Sequence, residues 1–409
     1  MPDFATKIPI PESLTQGQLQ PQAETLQVPR KGGKLFIGIP KERTLQENRV
    51  ALVPSSVATL IGLGHRVVIE SGAGKRSNYS DFKYAEIGAE IVHSKEEVFK
   101  ADVLVKVAPV TLNEIDLLRP NQVLISPLHL PILTEEYLHR LRQKRVIALA
   151  MEYIKDENGI FPVVRIMSEL AGIGAILTAA ELLSKTSNGR GVLLAGISGV
   201  PPAKIVILGA GVVAESAIRA ALGLGAEIRV FDNNVYKLMR LQQIIGRSLN
   251  TSTINPMQLE KELLGAEVAI GAIHSQHGRA TVVVSEDMVM KMKKGAVIVD
   301  VSIDQGGCFE TSEVTSHDKP TFIKHDVIHY CIPNIASKVP RTASIAVSNI
   351  LTPLLSKAGT TGGVANLLFS NHSLRNGVYI YKGAITNEYL ANRFNMQFTD
   401  IDLLLTSSI

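Results

Sequence analysis

The stretch Lys204-Ile205-Val206-Ile207-Leu208-Gly209-Ala210-Gly211-Val212-Val213-Ala214 constrains the fold of this chain more than any other. A short apolar run, entered from Pro201-Pro202 and left at a glycine, is the pattern of a strand buried on both faces of a parallel sheet. The alanine-rich residues 212–224, charged only at Glu215 and Arg219 and followed by Gly225, predict a helix. Gly209 permits the tight turn between the two, and Gly211 lets backbone approach a pyrophosphate. Val212 opens the helix whose free amides face the phosphates, and Ala214 stands where helix and strand must lie close. The next strand ends at Asp232, about twenty residues beyond the glycines, where a dinucleotide fold keeps the carboxylate for the ribose hydroxyls. A glycine turn also serves without any ligand, but strand, turn, helix, strand and terminal acid in order favour the nucleotide reading. The acid repels a 2′-phosphate and so favours NAD over NADP, with Arg229 and Lys237 nearby as opposing cations.

The rest of the chain repeats this alternation. Strand patterns at residues 35–39, 66–70, 90–93, 103–107, 123–126 and 146–150 alternate with helical ones at 80–87 and 134–143. A further helix runs to Leu63 from a cap at Ser55 or Ser56. Beyond the glycine turn come helices at 236–246, 256–264 and 285–292 and strands at 268–273 and 296–301. A proline-free apolar run from Met167 to about Lys185 reads as a helix joining two units. Helical patterns dominate from Pro340 to Ser356, with a short helix at 386–393 folding back onto the first unit. The fold class is therefore α/β, with two doubly wound (Rossmann-like) parallel-sheet domains and a cleft between them.

Composition excludes several functions. At 409 residues, 45% hydrophobic and 20% charged, the chain is long enough for two cored domains. A net charge of +4, with no dense Lys/Arg run and no tryptophan, leaves no footprint for nucleic acid. Two cysteines, Cys308 and Cys331, make no disulfide framework and suit a reducing cytoplasm. The apolar stretches 170–180 and 191–203 read as too short for a membrane span, interrupted by Glu169, Glu181 and Lys204. No secretory signal is expected at the N-terminus, and residues 1–33, rich in Pro, Gln, Thr and Ser, read as a loosely ordered extension.

Ligands of doubly wound sheets gather at the carboxyl ends of strands, so polar residues there are the candidates for chemistry. Arg49, in the loop after the first strand, either clamps a substrate carboxylate or pairs with a local acid. Lys106 interrupts an apolar strand, where a buried ammonium is costly unless paired or functional. His129 follows a strand end at Pro127. Ser168, Glu152 and Asn334 are unremarkable taken singly. Asp304 follows a strand and precedes Gly306-Gly307, and is either a general acid/base or a cap.

Taken together, these motifs resemble the alanine dehydrogenases, which share a superfamily with the nucleotide-binding subunit of proton-translocating transhydrogenase. The resemblance rests on Gly38-Ile39-Pro40-Lys41-Glu42, Glu47-Asn48-Arg49-Val50-Ala51-Leu52, Leu128-His129-Leu130 and Met167-Ser168-Glu169, then on Asp304-Gln305-Gly306-Gly307-Cys308-Phe309-Glu310 and His329-Tyr330-Cys331 with Asn334. It implies NAD-dependent oxidative deamination of L-alanine to pyruvate and ammonia, and the reverse. It assigns His129 and Asp304 to proton transfer and Arg49 to the substrate carboxylate. It assigns Ser168, Asp232 and Asn334 to the cofactor, beside Gly209, Gly211, Val212, Ala214 and Lys237. Lys106 is expected to reach the carboxylate from a strand on which Ala108 replaces the family's second lysine. The implied substrate domain is 34–162 plus 339–409, the NAD domain is 163–338, and the assembly is a homo-oligomer, hexamer or dimer, without a metal. A transhydrogenase-like NAD(H)-binding module, or a homologue acting on another small amino acid, is the alternative.

Overall fold

The computed structural model describes residues 33–275 and 279–406; the expected N-terminal extension lies outside them, except for Gly33. The apolar runs form fifteen strands among these residues. In chain order β1 is Phe36–Ile39, β2 Arg66–Glu70, β3 Glu90–Val92, β4 Val103–Val105, β5 Val123–Ser126 and β6 Ile147–Ala150. β7 is Lys204–Leu208, β8 Glu227–Phe231, β9 Asn250–Ser252, β10 Val268–Gly271 and β11 Val297–Asp300. β12 is Thr321–Lys324, β13 Val327–Tyr330, β14 Val378–Tyr381 and β15 Ala384–Ile385.

They pair into an eight-stranded sheet, β15-β14-β6-β5-β4-β1-β2-β3, and a seven-stranded one, β12-β13-β11-β10-β7-β8-β9. Strands β4, β5, β6, β7, β10 and β11 are apolar and buried almost throughout, because helices cover both faces of a parallel sheet. Each sheet carries an antiparallel edge, β14–β15 on β6 and β12 on β13. Neither edge was anticipated: the strands are two to four residues long, too short for periodicity to register.

Proline opens rather than breaks the main helices. Pro54–Gly62, Pro162–Leu182, Pro256–Leu264 and Pro340–Thr360 each begin on it, where its missing N–H costs nothing. The expected serine cap of the first is accordingly absent; Val53 precedes Pro54 and no side chain caps the helix. Pro162 likewise starts its helix five residues before the expected Met167.

The Pro162–Leu182 helix joins the two sheets. Its Ala171, Ala175 and Ala179 are buried in the core of the second sheet, while Val163 belongs to that of the first. It lies so close to helix Val212–Gly223 that a Cβ on Gly172 would sit 2.3 Å from the Val213 carbonyl oxygen. The expectation that this stretch is too short for a membrane needs correction. With 21 residues, and a mean hydropathy of 1.6 over its most apolar 18, it is long and apolar enough by length and composition, because it extends back to Pro162 and past Glu181. Here that apolar character serves helix–helix and helix–sheet packing.

Gly172→Ala must push two backbones apart. The expected loss is about 1–3 kcal/mol of stability, read as a lower urea midpoint; a midpoint equal to the parent's would refute the tight crossing.

Candidate active site

Strand order reverses between β1 and β4 in the first sheet and between β7 and β10 in the second, and both reversals open at strand carboxyl ends. The ends face one cleft of about 630 Å³, within the range of small-molecule sites. Arg49 follows β1, His129 follows β5, Asp304 follows β11 and Asn334 follows β13; all four line it, with Ser168 from the joining helix. Val213 and Ala272 carry its wall to the glycine turn after β7. Gly209, Gly211, Val212, Ala214, Asp232 and Lys237 are not among the lining residues and lie beyond that edge.

The glycine turn is built as its sequence demands. Gly209 has φ +112°, and a Cβ there would meet the Ala272 carbonyl oxygen at 2.3 Å. Gly211 differs: a Cβ would meet nothing within 4 Å, so protein packing does not require a glycine and space is left over the helix start. No side chain caps that helix, which leaves its first amides for an anion. The Asp232 carboxylate accepts the N–H groups of Ala210 at 2.8 Å and Asn234 at 2.7 Å, tying turn to strand end. Lys237 is exposed on the first turn of helix Val235–Ile245. Arg229 is engaged elsewhere, with Glu227 at 2.6 Å and Glu262 at 3.4 Å.

Across the cleft, Arg49 pairs with a local acid and still faces the ligand space. Nε donates to Glu47 Oε1 at 2.7 Å and Nη2 to Glu47 Oε2 at 2.5 Å. Nη2 also donates to Asn334 Oδ1 at 3.2 Å, and the Asn334 amide returns to Glu47 Oε2 at 2.9 Å. Nη1 is left with only the Met167 sulfur at 3.0 Å. Burial pushes the Glu47 carboxyl up, but the charge and hydrogen bonds of Arg49 outweigh it and hold Glu47 below its ordinary range.

His129 stands in a left-handed conformation, φ 52°, at the mouth of the short turn Leu130–Ile132. Burial lowers its pKa, so the imidazole is biased towards the neutral form that accepts a proton, and its Nδ1 has no hydrogen-bond partner among the described residues. The protein packed round Asp304 pushes that carboxyl up to about 7; Arg49 pulls it down and Asp300 adds to the rise. Its side chain is open to the cleft itself, so the full shift belongs to a cleft emptied of solvent.

Lys106 is a correction. Val107 and Pro109 line the cleft, and Lys106, the first residue after β4, does not. Its ammonium is buried at 1% exposure, 2.8 Å from Glu42 and 3.8 Å from Glu114. Burial pulls the ammonium towards neutrality, and the two carboxylates outweigh it. Glu152, unremarkable in the sequence taken singly, also lines the cleft, as do Gln46, Glu47, His274 and His317, which the sequence did not single out. Only Glu47 left a trace, as the local acid two residues before Arg49. Residues 276–278 of the 274–279 loop lie outside the described ones. Among the described residues no group of three or more His, Cys, Asp or Glu could hold a metal ion.

Two sheets meeting at a shared cleft, one with a dinucleotide turn, define a two-domain α/β protein of the nucleotide-binding class. Residues 38–171 match the family model described as alanine dehydrogenase/PNT, N-terminal domain, and residues 175–388 the C-terminal one. The chain belongs to the alanine dehydrogenase/PNT family. It is 37% identical to alanine dehydrogenase 2 of Staphylococcus aureus (strain USA300) over 367 residues, 90% of this chain and 98% of that one. Of solved structures, an L-alanine dehydrogenase is 36% identical with TM-score 0.82, covering 88% of this chain and 99% of its own. A transhydrogenase from Sinorhizobium meliloti, 24% identical with TM-score 0.74 over 86% of this chain and 99% of its own, shares the fold.

Lys106→Met strands two buried carboxyls and is expected to cost about 3–5 kcal/mol at neutral pH. Burial pushes the Glu42 carboxyl up, and the variant removes the ammonium paired with it, so the cost shrinks as pH falls and Glu42 takes up a proton. Urea unfolding at about pH 5 and about pH 8 checks both signs; an equal loss at both would refute the assignment.

Proposed function

We propose that this protein oxidises L-alanine to pyruvate and ammonia, with NAD as the electron acceptor, and catalyses the reverse amination. The observation that carries the reading is that Arg49, His129 and Asp304, from three strand ends, line one cleft whose wall continues to the Gly209 turn. The open space over Gly211 and the uncapped helix beside it suit a pyrophosphate. Gly209, Gly211, Val212, Ala214, Asp232 and Lys237 would hold the nucleotide on that side, and Ser168 and Asn334 would meet it from the cleft. Bound there, NAD would take up the hydrogen and electron pair lost from the substrate Cα, leaving an imine that water converts to pyruvate and ammonium.

The chain's own side chains do the rest. Arg49 presents Nη1 to the substrate carboxylate while Glu47 and Asn334 fix the plane of its guanidinium, so most of its contribution is orientation. His129, biased to the neutral form, takes a proton from the substrate ammonium, releases it to solvent and, neutral again, takes one from the attacking water. Asp304, beside the same space, exchanges protons in the second role. The wall is largely Val107, Pro109, Met151, Val163 and Val301, which suits a methyl side chain and keeps water out.

The proposed division is a substrate domain, 34–162 with 339–409, and an NAD domain, 163–338, in keeping with the residues that supply each sheet. A cytoplasmic homo-oligomer, dimer or hexamer, completes the reading. The exposed apolar side chains Leu193, Ile197 and Val200 support the assembly, and the two free, buried cysteines suit a reducing compartment.

NADH formation with a panel of L-amino acids tests the proposal, with alanine expected to be the best substrate. His129→Ala is expected to lose about 10²–10⁴-fold in kcat. The Asp304 carboxyl, protonated below about 7 once substrate and cofactor have emptied the cleft of solvent, makes kcat for deamination rise with pH through that value, a step that Asp304→Asn removes. Tight NAD binding without turnover of any amino acid would overturn the reading.

A further inference from the structure

One carboxyl on the cleft wall has no part in the proposed reaction. Glu152 sits in the short turn Met151–Tyr153 at the end of β6, and β6 runs parallel to β5, whose end carries His129. Its Oε1 accepts the N–H of Leu128 at 2.7 Å and that of His129 at 3.4 Å. Its Oε2 is sealed from solvent and meets no donor among the described residues, so the group's hydrogen bonding across the strands is spent on those two amides. Two consecutive amides converge on that one oxygen and tie the backbone after β5 to the end of β6.

His129 needs such a clamp. A residue with a Cβ holds φ 52°, ψ 69° at a cost that local contacts must offset. No side-chain hydrogen bond caps the turn that follows, and the imidazole Nδ1 has no hydrogen-bond partner among the described residues to fix the ring. The backbone is thus what sets where the ring stands, and Glu152 is the side chain that grips this backbone. Burial pushes the Glu152 carboxyl up and outweighs the opposing pull of its own amide and those of Leu128 and His129.

We infer that Glu152 is a positioning residue: by gripping the Leu128 and His129 amides it imposes the left-handed turn that presents the His129 imidazole to the cleft. The inference rests on the reading of His129 as the proton-transfer group. It differs from a role for Glu152 in proton transfer itself, since the clamp needs only an acceptor oxygen at that place, which a glutamine amide also supplies.

The test compares the full chain with Glu152→Ala and Glu152→Gln for alanine turnover, NADH binding and hydrogen exchange of the peptide spanning 124–133. Glu152→Ala is expected to lose about 100-fold in kcat with KM and NADH affinity little changed, as for a misplaced catalytic group. Its Leu128 and His129 amides are expected to exchange about tenfold faster. Glu152→Gln is expected to restore slow exchange and most of kcat. Parental turnover and exchange in Glu152→Ala overturn the inference. So does a Glu152→Gln variant that exchanges slowly yet turns over as poorly as Glu152→Ala, which would make the ionised carboxyl the requirement. Should Glu152→Ala fail to fold, Glu152→Asp, which withdraws the oxygen by one methylene, is expected to lose about tenfold in kcat, and full activity with parental exchange there overturns the clamp. If the parent itself does not oxidise alanine, the proposed function falls, while the exchange rates still decide whether Glu152 holds the turn.

Discussion

A guanidinium taken out of water must be paired, and the pairing of Arg49 organises everything around the cleft. Glu47 meets it on two nitrogens, and Asn334 bridges both partners. Arg49 and Glu47 lie in the loop after β1, whereas Asn334 closes the segment after β13, so one charged ring ties the ends of the two sheets together. The same loop is stitched on by backbone donors: Asn48 N–H to Ser337 Oγ, Val50 N–H to Ser344 Oγ and Val53 N–H to Ser348 Oγ, each at 2.9 Å. Every one of these groups is buried or half-buried, and an unpaired member would carry the full cost of its lost hydration. The loop therefore has one place to be, and Arg49 Nη1 has one space to face.

The strand ends add the rest. Parallel strands deliver their carboxyl ends to the same edge of a sheet, and two such edges turned towards each other bring groups far apart in the chain onto one wall. Packing then tunes them in different directions: His129 is pushed towards its neutral form, Asp304 towards its acid form, and Glu47 is held ionised by Arg49. Beneath this wall Lys106, Glu42 and Glu114 form a second charged cluster, closed off from the cleft. It supports the floor through the Val107 N–H, which donates to Glu42 at 2.8 Å.

Much of this was legible in the residues themselves. Strand β2 and helix Pro256–Leu264 have the bounds their sequence implies, because each is a run of one periodicity between clear stops. The antiparallel edges escaped notice because pairing partners, not local pattern, make such short strands. Lys106 was read correctly as a residue that must be paired or functional, but which of the two depended on where Glu42 and Glu114 come to lie. Glu152 is visible in the sequence only as one polar residue at a strand end, without a role, since its partners are amides 23 and 24 residues away that only the alignment of β5 with β6 brings near.

The residues alone determined the dinucleotide turn, the α/β alternation and the family, because these rest on local periodicity, on glycine conformations and on ordered motifs. Tertiary structure alone decided that Arg49 binds Glu47 and still faces the cleft, that Lys106 turns away from it, and that Glu152 grips the backbone of His129. Such outcomes depend on which charges share a buried volume, and that is settled only when distant strand ends are packed side by side.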